Sequence, residues 1–249
     1  MDKKKRRIRR IVLATVIILV ALGIGGWDYL HEYYKAESEA IEVYEQGKDK
    51  GTIYASESDP ENLILKAEEE TDKGILFYPG GKVEYTAYLP LLESLRSKGY
   101  DVVLIKMPFN LAFFDMDAAE DVLVDMKDEL PEVTNWYVMG HSLGGVAASS
   151  FAADNSDGIS GLILLGAYDY GKYDEENTLI IYGSEDIRLD LTKINADKSE
   201  VLKIEGGNHA WFGNYGEQEG DGKASISQKE QQKITVEKIV DWISSKETY

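Results

Sequence analysis

The sequence contains no cysteine. Disulfides, thiolate zinc sites, a cysteine nucleophile and a lipidated cysteine are all excluded. Proline is scarce, five in 249 residues, so no collagen-like or proline-rich tract exists. Basic residues are the minority, 27 Lys and Arg against 45 Asp and Glu. The resulting net charge of −18 argues against a nucleic-acid partner, because phosphate neutralisation needs clustered cations. There are only three histidines, so chemistry that needs an imidazole has few candidates. Long hydrophobic runs are limited to one, which excludes a multi-span membrane protein. What remains is 43% hydrophobic, enough at this length for one sizeable core.

The charge is split along the chain. Residues 1–10 hold seven basic residues and one acid, while the rest carries 20 basic and 44 acidic residues. From Ile11 to Trp27 no residue is charged. As a helix this stretch covers roughly 25 Å, close to the thickness of a bilayer core. Trp27, Tyr29, Tyr33 and Tyr34 follow, as interfacial aromatics do. The expected arrangement is a basic cytoplasmic tail (1–10), a transmembrane signal-anchor (11–27) and an extracytoplasmic remainder. A cleaved signal peptide is the competing reading, but no A-x-A pattern follows the apolar stretch. Residues 28–50 read as a juxtamembrane helix or stalk ending near Gly47 and Gly51. Glu68-Glu69-Glu70 reads as a solvated turn.

Beyond Gly51, short apolar runs alternate with amphipathic ones. The runs are Thr52–Ala55, Leu63–Ala67, Ile75–Tyr78, Val102–Lys106, Trp136–Met139, Leu162–Leu165, Leu179–Tyr182 and Val201–Ile204. Helical patterns fall at Glu84–Lys98, Met116–Leu130, Leu143–Ala153 and Gln228–Ser245. This alternation predicts an α/β fold: a mostly parallel eight-stranded sheet covered on both faces, with an antiparallel edge at the first two strands. Ligands on such sheets sit at the carboxyl ends of strands, so site residues should follow strands.

Three groups do. Gly140-His141-Ser142-Leu143-Gly144-Gly145 lies between an apolar run and a helical pattern. A G-x-S-x-G in that place is a nucleophile elbow, with Ser142 at the helix N-terminus and the Leu143 N–H available to an oxyanion. The bland alternative is a glycine-rich turn capped by Ser142. The base follows by elimination. His31 lies beside the apolar segment, and His141 occupies an elbow position that directs it away from Ser142. His209 remains, in the loop Glu205-Gly206-Gly207-Asn208-His209 after the last apolar run. The partner acid is Asp186, after Leu179–Tyr182, with Glu185 and Asp169 as rivals. A second oxyanion donor should come from Pro79-Gly80-Gly81-Lys82, with Gly81 preferred and Lys82 reachable by a one-residue shift.

These residues resemble the α/β-hydrolase superfamily, and more narrowly its compact bacterial branch often labelled alpha/beta hydrolase fold-5. The motifs that carry the resemblance are Phe77-Tyr78-Pro79-Gly80-Gly81-Lys82, Gly140–Gly145, Tyr182-Gly183-Ser184-Glu185-Asp186 and Gly207-Asn208-His209-Ala210. Phe212-Gly213-Asn214-Tyr215-Gly216 and Gly220-Asp221-Gly222 extend it, over roughly residues 51–249. The resemblance implies the superfamily's fold, a Ser142-His209-Asp186 triad and hydrolysis through an acyl-enzyme without a cofactor. Many superfamily members carry His-Gly where this chain has Pro79-Gly80.

Ten residues, Tyr168–Asn177, separate Ala167 from Thr178, too few for a helical lid. The site should therefore be shallow and open. Residues 210–227 form a long loop in which Trp211, Phe212 and Tyr215 are the expected substrate wall. Glu217, Glu219 and Asp221 lack EF-hand spacing and read as loop acids rather than a metal site. The expected function is a membrane-anchored carboxylesterase acting on a small-molecule ester. A serine acyltransferase, a peptidase or a surface-tethered binding module are the alternatives. The anionic domain favours neutral or cationic acyl substrates.

Overall fold

A computed structural model describes residue 27 and residues 29–246 of the protein. The basic tail and Ile11–Gly26 of the expected signal-anchor lie outside the described residues. Among the described residues, no helix is long and apolar enough to cross a membrane. The chain divides into one unit reaching to Tyr33 and a second, Tyr34–Tyr249. In the first, the His31 ring stacks on Trp27 with centroids 3.9 Å apart.

Each of the eight apolar runs in the second unit forms a strand. They are β1 (Ile53–Ala55), β2 (Leu63–Leu65), β3 (Lys73–Tyr78), β4 (Asp101–Leu104), β5 (Asn135–His141), β6 (Gly161–Leu165), β7 (Thr178–Gly183) and β8 (Glu200–Ile204). They make one sheet in the order β1-β2-β4-β3-β5-β6-β7-β8. β1 and β2 pair antiparallel, as does β2 with β4, and the remaining pairs are parallel.

The runs of β2 to β7 are almost wholly buried because both faces are covered, whereas the edge strands β1 and β8 are partly exposed. Along β3, Ile75 and Phe77 enter one core, and Leu76 and Tyr78 the other. The first core is roofed by α2 (Leu89–Arg96) and α5 (Gln228–Lys246), through Leu91, Leu92, Leu95, Ile239 and Trp242. The second is roofed by α3 (Ala118–Glu129) and α4 (Leu143–Asp154), through Val122, Met126, Ala148 and Phe151.

The segment 28–50, expected to be a juxtamembrane helix or stalk ending near Gly47 and Gly51, does contain a helix that ends there. Helix α1 (Ser38–Lys50) is packed into the second unit, with Ala40 and Gly47 buried and Val43 and Tyr44 against the first core. A Cβ on Gly47 would stand 2.4 Å from the Ile53 side chain, so this glycine lets the helix lie close against β1. Upstream of it, Tyr34 bridges Val83, and the Glu37 N–H donates to the Asn214 carbonyl at 2.8 Å. The compact unit thus begins at Tyr34 rather than Gly51. The helix is held by small residues and backbone bonds, which leave little hydrophobic signature in a sequence.

Candidate active site

β4 lies on one side of β3 and β5 on the other, so the chain reverses direction across the sheet at the β3–β5 pair. A crevice opens above the carboxyl ends of strands at such a reversal. The loop after β3 holds Gly80 and Gly81, and β5 runs into Ser142. A Cβ built on Gly81 would stand 2.7 Å from Leu143 Cδ2, so the two loops are in contact.

Ser142 has φ 52° and ψ −119°, an unfavourable conformation for a residue with a side chain, costing about 1–3 kcal/mol. The glycines on either side make it attainable. A Cβ on Gly140 would meet the Gly144 carbonyl oxygen at 2.4 Å, and one on Gly144 would meet the Tyr78 oxygen at 2.3 Å. The Ser142 hydroxyl makes no capping hydrogen bond to α4, which removes the reading of Ser142 as a plain helix cap.

His209 and Asp186 meet at 2.7 Å, Nδ1 to Oδ2, with side chains 3% and 0% exposed. The other carboxylate oxygen, Oδ1, accepts the Arg188 and Leu189 N–H groups at 2.9 and 3.1 Å. The carboxylate is thereby held as an acceptor on both oxygens, and Nδ1 carries the ring proton. Nε2 is left as the basic nitrogen, buried and with no hydrogen-bond partner. Gly166, with φ +54°, lies against this pair. A Cβ there would stand 2.9 Å from His209 Nδ1 and 3.2 Å from Asp186 Oδ2.

The rival acids are occupied elsewhere. Asp169 accepts the Ser149 hydroxyl at 2.7 Å and the Tyr173 N–H at 3.2 Å. Glu185 accepts the Ser184 hydroxyl at the surface. The two oxyanion options also separate. The Lys82 N–H donates to the Asn110 carbonyl at 2.7 Å, and the Gly80 N–H to the Tyr88 hydroxyl at 3.0 Å. Gly81 keeps the available donor of that loop, and Leu143 sits in the first turn of α4, where N–H groups lack helical partners.

His141 is turned away from the cleft and ties the loops together. Its Nε2 lies 3.0 Å from the His209 carbonyl, which can only accept, so Nε2 carries the proton. Nδ1 therefore accepts from the Tyr88 hydroxyl at 2.7 Å, and that hydroxyl in turn accepts from Gly80. Burial lowers the His141 pKa well below its ordinary range, with smaller contributions from His209 and Arg188. Burial also pushes the Tyr88 phenol upward. Both groups stay neutral, as this chain of bonds requires.

The His209 loop has further supports that the sequence did not announce. Asp221 accepts the His209 and Ala210 N–H groups at 3.2 and 2.8 Å. Buried Gln231 on α5 bonds the Asn208 backbone at both its N–H and its carbonyl. A carboxylate eleven or so residues past a candidate base carries no recognisable spacing, so only the folded loop reveals it.

A cleft of about 390 Å³ is lined by Ser142, Leu143, Val146, Gly166, Ala167, Tyr168, Arg188, Leu189, Asp190, Lys193 and His209. The expected aromatic wall is not part of it. Phe212 is fully buried in the first core against His141, and Tyr215 is 5% exposed and packs on Tyr34 and Tyr88. Trp211 lines a separate crevice with Asn208 and Glu217. In the short turn Ala210–Phe212 both Ala210 and Phe212 are buried, and the cleft is lined instead by Tyr168 and Leu189. A wider crevice of about 590 Å³ lies at the amino ends of the strands, beside Asp72, Asn135 and Asn177, and contains neither nucleophile nor base.

Residues 74–233, more than half of the chain, match the model of a family described as the alpha/beta hydrolase family. Similar solved structures include Est1E from Butyrivibrio proteoclasticus, 16% identical, covering 74% of this chain and 94% of its own, with a TM-score of 0.55. A soluble variant of monoglyceride lipase from Saccharomyces cerevisiae is 11% identical over 74% and 91% of the two chains, with a TM-score of 0.54. The Francisella virulence factor BioJ is 18% identical over 78% and 83%, with a TM-score of 0.52. No sequence among the curated proteins matches the chain.

Proposed function

The chain belongs to the alpha/beta hydrolase family, and on that premise we propose that it is a serine carboxylesterase working through an acyl-enzyme. The observation that carries this reading is a single cleft lined by both a strained serine and a histidine whose far nitrogen is bonded to a buried aspartate. Ser142 Oγ attacks the acyl carbonyl as His209 Nε2 takes its proton. The N–H groups of Gly81 and Leu143 donate to the oxyanion. His209 then protonates the departing alcohol and deprotonates the water that releases the acid. Asp186 orients the ring and stabilises its charged form.

The same reading places the hydrolase outside the cytoplasm on a signal-anchor at residues 11–27, with support from the basic block before that segment and the aromatics after it. The expected partners are a small ester and the membrane, with no cofactor.

The test is fluorophosphonate labelling of the full chain, beside Ser142→Ala and His209→Ala, with a panel of short p-nitrophenyl esters. Labelling at Ser142 that needs His209 is expected, with kcat lower by about 10³-fold or more in either variant. A Ser142→Ala enzyme retaining over a tenth of the parent rate would remove the mechanism.

A further inference from the structure

The cleft is charged against the composition of the protein. Acids outnumber bases 45 to 27 in the whole chain. In the cleft, Arg188 and Lys193 face a single exposed acid, Asp190. Asp186 lies beneath, buried and bonded to His209.

Among the described residues, Arg188 is not paired with a carboxylate, and Lys193 has only a long, exposed ion pair with Asp190. Arg188 Nη1 donates to a neutral group, the Glu219 carbonyl, at 3.1 Å, and among the described residues its guanidinium forms no ion pair. The Arg188 backbone N–H bonds to Asp186, which fixes this residue two positions from the triad acid. Lys193 Nζ bonds the Tyr168 hydroxyl at 2.9 Å and lies 4.6 Å from the centre of that ring. Asp190 is 3.9 Å away and is itself engaged by the Thr192 N–H and hydroxyl. Tyr168 thus holds the ammonium at the cleft, where the long contact with Asp190 neutralises its charge only in part.

We propose that the ester carries a carboxylate, bound on the side of the cleft formed by Arg188 and Lys193. This rests on the serine hydrolase reading for its chemistry and reverses the preference suggested by net charge. Charges lining the cleft act over a few ångströms, whereas exposed charges farther away than a screening length of about 8 Å are largely damped by salt. Arg188 suits a carboxylate because its planar fork donates two parallel hydrogen bonds. The oxyanion donors and the triad act on the scissile carbonyl, so the second charge of the substrate requires a receiver of its own.

The experiment compares two p-nitrophenyl esters of equal length on the full chain in detergent. One is the half-ester of glutaric acid, and the other carries an amide in place of its free carboxylate. At low salt the acid should exceed the amide in kcat/KM by about tenfold, and the ratio should fall as salt is added. The ratio should drop at least threefold in Arg188→Gln and in Lys193→Gln and approach unity in the double variant. Arg188→Lys should keep part of the preference. Both side chains are exposed, so these variants should fold. A parent ratio at or below one, or a ratio unmoved by the double variant, overturns the proposal. If neither ester is turned over and a neutral fluorophosphonate fails to label Ser142, the hydrolase reading fails separately. Calorimetric titration with glutaric acid monoanilide then decides the subsite. Binding that weakens in Arg188→Gln upholds it, and equal or absent binding overturns it.

Discussion

Replacing Tyr88 with phenylalanine deletes one oxygen and keeps the ring that packs on Phe77 and His141, with centroids 4.9 and 5.6 Å away. That oxygen serves two buried groups, the Gly80 N–H and His141 Nδ1. Each group left without a partner costs about 1–3 kcal/mol, so the variant should lose about 2–6 kcal/mol. With a urea dependence of about 3 kcal/mol per molar, the unfolding midpoint should fall by about 1 M. Activity should suffer through a different route. Gly80 precedes the Gly81 donor, and complete loss of one oxyanion donor costs about 10²–10³ in kcat. A donor that is displaced rather than removed should cost about 10–100-fold, with KM little changed. Tyr215→Phe is the control, since its hydroxyl meets only Gln218 at the edge of the fold. A Tyr88→Phe protein with a midpoint within about 0.2 M of the parent, and kcat within twofold, would refute the assigned role of this hydroxyl.

Three further outcomes follow from the same geometry. Gly166→Ala places a methyl 2.9 Å from His209 Nδ1 at a positive-φ position, and steady-state kinetics should show kcat reduced by about 100-fold through a parted Asp186–His209 pair. Asp221→Asn turns a donor toward the His209–Ala210 backbone. It should lower stability by about 1–3 kcal/mol in urea titrations and kcat by about tenfold. His141 is held neutral in the fold, whereas in the unfolded chain it titrates near pH 6.5. The unfolded state therefore binds more protons below that pH. Its contribution to stability is complete above about pH 6.5 and is lost as pH falls, by up to about 1.4 kcal/mol per unit. Urea midpoints at pH 7.5 and 5.5 should differ less in His141→Gln than in the parent.

The sheet was legible because a strand covered on both faces must be largely apolar, as β2 to β7 are, and each of the eight runs is bounded by polar or glycine-rich segments. The elbow was legible because Gly140 and Gly144 are forced by contact with backbone atoms. With only three histidines, elimination left His209 as the candidate base, and the fold sets it against Asp186. The burial of Phe212 and Tyr215 was not legible, because aromatic residues in a long loop have the same composition whether they line a pocket or fill a core. The actual lining includes Arg188, Leu189 and Lys193, which look like an ordinary polar loop until β7 brings them beside Ser142. The Tyr88–His141 bond joins residues 53 positions apart, and nothing local in either segment signals it. Residues 28–50 were legible as a helix or stalk, but the packing of α1 into the second unit was not, because its close contact with β1 is made by a glycine, Gly47, against Ile53.

The bonds running from Gly80 through Tyr88 and His141 to the His209 carbonyl bear on how this protein fails. In many enzymes, catalytic loops open at far lower free energy than the scaffold beneath them, so activity is lost before the fold. Here three loops from β3, β5 and β8 share one buried fastening, made of groups packed into the first core. Detaching any one of them exposes the same hydroxyl and imidazole as unfolding that core. The site and the scaffold therefore form one cooperative unit. Loss of activity on heating or in urea should coincide with the global transition, and the backbone amide of Gly80 should exchange with solvent as slowly as those in the central strands.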